Sequence, residues 1–320
     1  MFVELARPAP ASASIAASTR ARPGLLRRLA ATAPPYLYLL PALTLLIVWT
    51  YRPFAQTVQL SFYRWNLLPT TPMEPVGLDN YRRVLALPEL HDALINTGWY
   101  VLGLLPFSVV IPVVIALLAQ HVQGRSRAVY RALIFVPTLV TPVATAAVWR
   151  WLLEPEGGPV TRALTAFGIG PVNVFREPGP ALLALIGICG WQMIGFAVVV
   201  VSAGLSGINR DYADAAALDG ATRAQIARRI TLPLLSPTLV FLALMTILLS
   251  AQWTFPLIDT LTQGGPGGAT TNIYYLLWQF GFRSFDAGYA AAAGTVFFVG
   301  FAVVAMAFVR LADQLSFHDD

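Results

Sequence analysis

The sequence predicts an all-α integral membrane protein with about six transmembrane helices. Of its 320 residues, 57% are hydrophobic and only 12% are charged, whereas a soluble domain carries roughly 25% charged residues. So few charges cannot cover a surface that faces water, and the lipid bilayer is the solvent that fits this composition. The second observation is a series of long uncharged runs, each able to cross the hydrocarbon core as a helix of about 20 residues.

Six such spans follow one another along the chain. We place them at Tyr36–Ala55, Trp99–Gln120, Ala132–Leu152, Leu182–Ser202, Leu234–Trp253 and Ala290–Val309. A further apolar stretch, Ile273–Phe282, is too short to cross the bilayer, so we expect an interfacial or re-entrant helix there.

The arginines predict how these spans are oriented. All 21 basic residues are arginine, and thirteen of them lie in the N-terminal tail, in the second and fourth connections or after the last span, together with seven of the 16 acidic residues. The opposite side holds eight arginines and nine acidic residues. Because arginine is enriched in cytoplasmic loops, we expect a multi-pass membrane protein with both termini in the cytoplasm.

The first 35 residues differ from the rest in composition. They are rich in Ala, Pro, Ser and Arg, which is typical of a disordered basic tail. A cleaved signal peptide is the alternative, but the apolar run that follows is too long for a signal core and Thr50–Pro53 is a poor cleavage site. We therefore divide the chain into a cytoplasmic tail, 1–35, and a transmembrane domain, 36–320.

Several kinds of chemistry are excluded by composition. The chain has no lysine, so it lacks the lysine of an ATP-binding P-loop and of a Schiff base. Its single cysteine, Cys189, lies in an apolar run and is interpreted as a packing residue. The three histidines are scattered and form no metal-binding motif. We expect neither an enzyme nor a metal site in this chain.

The fourth connection, at 205–233, predicts a helical hairpin. Asp211–Leu218 is rich in alanine and favours a helix. Asp219 and Gly220 then form a turn signal, because glycine adopts backbone conformations that other residues avoid.

A second helix follows this turn. Thr222 and Gln225 have the spacing of a capping box, and the helix they begin carries arginines and is expected to stop near Pro233. A solvated linker is the alternative interpretation, but linkers between elements are usually shorter.

This loop resembles the coupling loop of ABC-importer permeases, which reads E-A-A, three residues, G, nine residues, I, one residue, L-P. Every spacing is matched, and the one departure is Asp214 in place of glutamate, which keeps the carboxylate and loses one methylene. The resemblance implies that the residues coupling this chain to an ATPase are Asp214, Ala215, Ala216, Asp219, Gly220, Ala221, Ile230, Leu232 and Pro233.

Three further motifs look like those of the carbohydrate-uptake permeases related to the maltose system. They are Tyr38–Ala42, Val76–Tyr81 and Leu261–Pro266. Within that group the chain is similar to the F-type subunit without its large extra external domain. The glycines of the third motif do not fit a dinucleotide-binding loop, and we interpret them as a flexible external turn.

The resemblance implies a machine of several chains in the inner or plasma membrane of a prokaryotic cell. A second permease subunit pairs with this one, two ATPase subunits lie beneath, and a solute-binding protein delivers the substrate from outside. ATP and magnesium are bound by the partner ATPase, and no cofactor is expected in this chain. Closure of the ATPase dimer would move the coupling hairpins and switch the spans between inward-open and outward-open arrangements.

Polar and aromatic residues inside the spans are candidates for the substrate pathway. Polar side chains are costly in lipid and tend to face a cavity, and a sugar binds through hydrogen bonds and aromatic stacking. Hydrogen bonding between helices is the alternative role. The candidates are Trp191, Gln192, Ser250, Gln252 and Trp253.

Other functions fit the sequence less well. An ion-driven secondary transporter would show inverted repeats and charges inside the membrane, and a membrane enzyme would show paired carboxylates or a metal cluster. A structural subunit would leave the hairpin motif unexplained. For an importer, a di- or oligosaccharide is the expected substrate, and glycerol-3-phosphate or a polyol is the alternative.

Overall fold

The structure is a computed structural model, and it describes residues 38–120, 122, 124–168 and 173–315. The predicted tail, 1–35, lies outside these residues. The chain divides into two compact units between Ala55 and Gln56. In the first unit residues 38–55 are helical and exposed, with a wide π-helical turn at Ile47–Tyr51; this helix, α1, ends at Leu60.

The described residues of the second unit are mostly helical. A short antiparallel pair, β1 (Tyr63–Arg64) and β2 (Glu74–Pro75), precedes the helices. The helices are α2 (Asp79–Leu85), α3 (Pro88–Ala119), α4 (Arg125–Leu139), α5 (Pro142–Leu152), α6 (Pro159–Ala166), α7 (Pro178–Gly207), α8 (Asp211–Leu218), α9 (residues 223–234), α10 (Ser236–Thr262), α11 (Ile273–Phe282) and α12 (Ala287–Leu315).

The predicted membrane spans agree with these helices at most places. In the described residues four helices are long and apolar enough to cross a membrane, namely α3, α7, α10 and α12, and a fifth span results if the bent pair α4 and α5 counts as one. The predicted first span begins outside the described residues, and its remainder lies in α1. The short apolar stretch is a separate helix, α11, as its length predicts.

The third predicted span is not one straight helix, and this corrects the prediction of a single helix over Ala132–Leu152. The helices α4 and α5 meet at an angle of 95°. Val140 and Thr141 are extended, with ψ of 133° and 143°. Pro142 explains the break, because a proline disfavours the helical conformation in the residue before it. Thr141 then caps α5, with its hydroxyl accepting from the Ala144 N–H at 3.4 Å.

Small residues let the long helices approach closely around α7. A Cβ atom on Gly190 would collide with the ring of Phe107 in α3, and one on Gly195 would lie 2.6 Å from the Ile134 carbonyl in α4. Glycine is typical of such contacts between membrane helices. The core beside them contains Tyr100, Leu104, Leu185, Ile188, Leu257 and Tyr275, all buried.

The glycine-rich segment after α10 is held by hydrogen bonds to α3 and α10, which corrects the interpretation as a flexible turn. The Asn96 side chain donates to the carbonyls of Gly268 and Thr271, both at 3.0 Å, and the Tyr100 hydroxyl donates to Thr270 O at 3.0 Å. Asn272 is fully buried and donates to Ala251 O and Thr254 Oγ1 in α10. The segment therefore joins α3 to α10 as a fixed element.

Candidate functional site

The hairpin predicted at 205–233 is present, and it begins after α7 ends at Gly207. The Asn209 side-chain oxygen accepts from the Asp211 N–H at 3.1 Å, which starts α8. Asp211 and Asp214 lie in the first turn of this helix, where a carboxylate is favoured by the helix dipole. The alanines that follow complete the two turns of a helix whose bounds match the prediction.

The turn of the hairpin is a Schellman motif. The Ala221 N–H donates to Ala216 O at 3.0 Å and the Gly220 N–H donates to Ala217 O at 3.1 Å, which is the bond pair that defines this helix end. Gly220 has φ +83°, and a Cβ atom there would meet nothing within 4 Å. Glycine is therefore required by the backbone conformation and not by lack of space.

The capping box at the start of α9 is also present. The Thr222 hydroxyl accepts from the Gln225 N–H at 3.4 Å, and the Gln225 side chain accepts from the Thr222 N–H at 2.7 Å. After Ile226 the helix widens into a π turn, Ala227–Thr231.

The predicted stop near Pro233 is confirmed, because α9 ends at Leu234. Pro233 lies in the last turn of α9, directly after the π turn. Only Leu235, with φ −82° and ψ −9°, separates α9 from α10. The second arm of the hairpin therefore runs directly into a membrane span.

The predicted coupling residues fall into two groups by exposure. Those at the start and tip of the hairpin are exposed, namely Asp214, Ala215, Asp219 and Gly220. Those that face the second arm or belong to it are half-buried, namely Ala216, Ala221, Ile230, Leu232 and Pro233. A depression of about 270 Å³ lies between the turn and α9, lined by Asp219, Gly220, Ala221, Gln225, Arg229 and Ile230 among others.

Two apolar residues of the hairpin were missed by the sequence argument. Leu218 is 90% exposed and Tyr212 is 48% exposed, although both are large and apolar. Leu218 lies four residues after Asp214, so the two side chains share one face of α8. The sequence signal would have been a leucine within a charged loop, because loops that face only water are mostly polar.

The first two pathway candidates, Trp191 and Gln192, lie at the middle of α7, and their side chains have different surroundings. Trp191 is 41% exposed and packs edge-on against Trp149 of α5, with ring centroids 6.0 Å apart. Gln192 donates its amide to Thr145 Oγ1 at 2.8 Å and to Val140 O at 3.0 Å. Trp191 therefore has a free portion of its ring, whereas the amide of Gln192 is already bonded.

The other three candidates lie on different faces of α10. Gln252 is exposed, Trp253 is half-buried against the core, and Ser250 is fully buried. Among the described residues, the Ser250 hydroxyl has no hydrogen-bond partner. A buried hydroxyl without a partner is unusual, since most such groups are paired.

A larger open cleft, for which no sequence signal was found, lies beyond the end of α5. Its volume is about 970 Å³, and polar residues line it, including Glu154, Glu156, Thr161, Arg162, Asn173 and Arg176. Carboxylates and guanidinium groups are interspersed, so the cleft favours neither sign of charge. Across the part of the chain that is described, no three potential metal ligands come together.

A family model matches residues 92–316, which contain the hairpin and the spans from α3 to α12. Its description is "Binding-protein-dependent transport system inner membrane component". The chain belongs to this family. It is therefore a multi-pass inner membrane component of a transport system, and the resemblance to ABC-importer permeases is confirmed.

Individual relatives agree with the family. The chain is 32% identical to the trehalose/maltose transport system permease protein MalF of Thermococcus litoralis, over 82% of this chain and 88% of that protein. It is 29% identical to the sn-glycerol-3-phosphate transport system permease protein UgpA of Pectobacterium atrosepticum, over 86% and 94%. A probable ABC transporter permease of Pyrococcus horikoshii is 30% identical over 82% and 92%.

Solved structures with the same fold include a bacterial ABC transporter that imports the acidic polysaccharide alginate. A chain of that transporter is 23% identical, covers 92% of this chain and 99% of its own length, and superposes with a TM-score of 0.80. A second structure, the alginate transporter with a pentasaccharide-bound periplasmic protein, gives a TM-score of 0.75 at 24% identity. These similarities confirm the all-α permease fold of the family.

Proposed function

We propose that this chain forms half of the translocation pathway of an ATP-driven sugar importer and transmits ATP hydrolysis by a partner ATPase to the spans. The observation that carries the proposal is the exposed hairpin, α8 to α9, whose second arm continues into the span α10. A partner that pushes on the hairpin would move α10 as a lever, because only Leu235 interrupts the helix between them.

The docking face for the ATPase is the exposed side of α8. Leu218 supplies an apolar contact at 90% exposure, and Asp214, one turn earlier on the same face, supplies a carboxylate that fits an arginine of the partner. Burial of one leucine side chain is worth about 1.5–3 kcal/mol. ATP and magnesium belong to the ATPase, of which two copies would serve this chain and a second permease subunit.

A di- or oligosaccharide is the substrate that the relatives favour. The relatives named above include a trehalose/maltose permease, and the fold is shared with an alginate transporter. A solute-binding protein would deliver the sugar to the side opposite the hairpin. Both termini would then lie in the cytoplasm, as the arginine distribution predicts. Glycerol-3-phosphate is the second candidate, because a permease for it is 29% identical.

The coupling part is tested by purifying the tagged full-length chain from its native membranes and measuring the ATPase that co-purifies. Leu218→Glu and Asp214→Arg should each lose the ATPase and abolish uptake, while the chain inserts at its normal level because the spans are unchanged. Asp214→Glu, the matched control, keeps the carboxylate and should retain both. Full recovery of ATPase and uptake in Leu218→Glu would contradict the proposal.

The substrate part is tested with the purified native complex in lipid vesicles together with its binding protein. ATP hydrolysis should be stimulated by one or a few di- or oligosaccharides in a panel that also contains monosaccharides, polyols and glycerol-3-phosphate. Stimulation by glycerol-3-phosphate alone would replace the sugar assignment with the second candidate and leave the coupling proposal intact.

A further inference from the structure

The side chain of Gln192 joins the two halves of the bent span. Its amide nitrogen donates to Thr145 Oγ1 at 2.8 Å, in α5, and to Val140 O at 3.0 Å, in the break. A longer bond of 3.5 Å reaches Pro137 O, in α4. Two of these partners are carbonyl oxygens, which only accept, so the amide nitrogen and not its oxygen must face them.

The break creates the need for such a donor. The last carbonyls of a helix have no partner within the helix, and a proline follows here within a few residues. In a hydrocarbon environment an unpaired carbonyl is costly, and water is not there to replace the lost bond. Gln192 supplies the donor for the end of α4 and, through Thr145, also holds the start of α5.

The end of α4 is seated on α7 at the same place. The Thr138 hydroxyl donates to the backbone carbonyl of Gln192 at 2.7 Å. One turn along α7, a Cβ atom on Gly195 would lie 2.5 Å from Thr138 Oγ1 and 2.6 Å from Ile134 O. Only glycine allows this approach, so α7 and the end of α4 form a fixed base from which α5 turns away.

The helix α5 is also in contact with α10, the span that the hairpin is proposed to move. It packs against α10 and against the wide turn at the end of α10, Ile258–Thr262. A movement of the hairpin that reaches α10 would therefore press on α5, which the hydrogen bond from Gln192 to Thr145 joins to α7.

We propose that Gln192 is a positioning residue of the transport cycle, which holds α5 at its angle to α4 and α7 and acts through α5 rather than by contact with the substrate. The helix pair α4 and α5 would have two arrangements, one bent and one less bent, and the hydrogen bonds of the Gln192 amide favour the bent one. Both the substrate and the ATPase would shift the balance between these arrangements. This role goes beyond the proposed function, since it assigns the positioning of α5 to a single residue of this chain.

The first test measures the geometry directly. Spin labels at Val148 in α5 and Val199 in α7, both about half exposed, report the distance between the two helices in the lipid-embedded complex. Gln192→Leu should broaden or shift this distance distribution, because leucine fills the space without a donor. Gln120→Leu, at an exposed helix end, is the matched control and should leave the distribution narrow. An unchanged distribution in Gln192→Leu would overturn the proposal.

The second test separates positioning from substrate contact by transport kinetics. Gln192→Leu should lower the maximal uptake rate about three- to tenfold, the effect of losing hydrogen bonds between membrane helices, and leave the half-saturating substrate concentration unchanged. A raised half-saturating concentration at an unchanged maximal rate would mean substrate contact and would overturn the proposal. These readouts need no knowledge of the ATPase interface, so a failed coupling proposal is distinguishable from a failed positioning role.

A milder variant covers the case in which Gln192→Leu does not assemble. Thr145→Val removes one partner of the amide with little change in volume and should act in the same direction. Because the two residues share one bond, the double variant should be no worse than Gln192→Leu alone. Additive effects of the two changes would contradict the shared role.

Discussion

The Ala221 N–H donates to the Ala216 carbonyl at 3.0 Å across the turn of the hairpin. This bond closes the turn only because Gly220, the residue before Ala221, has a positive φ of +83°. The bond and the conformation are therefore one feature, and the direction in which α8 leaves α9 depends on both.

Replacement of Gly220 by valine should disable coupling. A branched side chain in the left-handed region costs on the order of 1–2 kcal/mol, so the turn opens and α8 is displaced. We expect Gly220→Val to lose co-purifying ATPase and uptake with normal membrane insertion. Gly220→Asn should keep most of both, because asparagine adopts this conformation more readily.

Gly207→Ala is the matched control for this prediction. It lies just before the hairpin, and a Cβ atom there meets nothing within 4 Å and needs no positive φ. It should behave as the unmodified chain. Equal ATPase recovery in Gly220→Val and Gly207→Ala would show that the turn conformation does not matter for coupling.

The orientation of the spans can be tested by cysteine labelling in intact cells. Cys189 is buried, with 3% of its surface exposed, so it gives little background. Cysteine at the exposed position Arg223 should react only with a membrane-permeant reagent, because the hairpin is expected inside. Cysteine at Glu74, an exposed residue of β2, should react with an impermeant reagent as well. Reaction of the cysteine at position 223 with the impermeant reagent would show that the hairpin lies outside the cell and that the predicted orientation is wrong.

Asn272 should be important for stability. It is fully buried, donates to Ala251 O at 2.9 Å and Thr254 Oγ1 at 2.8 Å, and accepts from the Tyr275 N–H at 2.8 Å. Loss of these partners leaves buried polar groups unpaired, and we expect Asn272→Ala to lower the free energy of unfolding by about 2–4 kcal/mol. The measurement is the apparent melting temperature of the purified complex.

The control for Asn272 is another asparagine with a single, exposed bond. Asn66 accepts from the Leu68 N–H at 3.2 Å near the surface, where water can replace the lost bond. Asn66→Ala should change the melting temperature far less. A similar loss in both variants would mean that the bonds of Asn272 do not hold the glycine-rich segment in place.

The remaining pathway candidates on α10 can be separated by their effects on transport. Gln252→Ala and Trp253→Ala should raise the substrate concentration for half-maximal uptake, because an amide and an aromatic ring are groups that bind a sugar. Complex assembly should stay intact, since Gln252 is exposed and Trp253 only half-buried. Unchanged uptake kinetics in both variants would assign these residues to helix packing.

The hairpin could be predicted almost residue by residue because its signals are local. Asp219-Gly220, Thr222 and Gln225 act within a few residues of one another, and the structure has the turn and the capping box where the sequence places them. The stop near Pro233 has a local signal as well, and α9 ends one residue after this proline. The roles of the hairpin residues in coupling to an ATPase stay predictions.

The tertiary features could not be predicted in this way. The bend of 95° at Thr141-Pro142 has a local signal in the proline, but the hydrogen bonds across it come from Gln192, some 50 residues away in sequence. The glycine-rich segment was interpreted as flexible from the sequence because its hydrogen-bond partners on α3, Asn96 and Tyr100, are about 170 residues away along the chain. Pairings over such distances leave no periodic pattern in the sequence.

The wide turn at Pro106–Val110 has a consequence for comparisons among family members. A π turn takes in one residue more than the α-helix around it, and one residue corresponds to about 100° of rotation at 3.6 residues per turn. The apolar periodicity of α3 is therefore out of phase on the two sides of this turn. Against a helix that lacks this turn, an alignment with a one-residue gap keeps the inward-facing positions matched, whereas an ungapped alignment exchanges lipid-facing residues for core residues over the following helix.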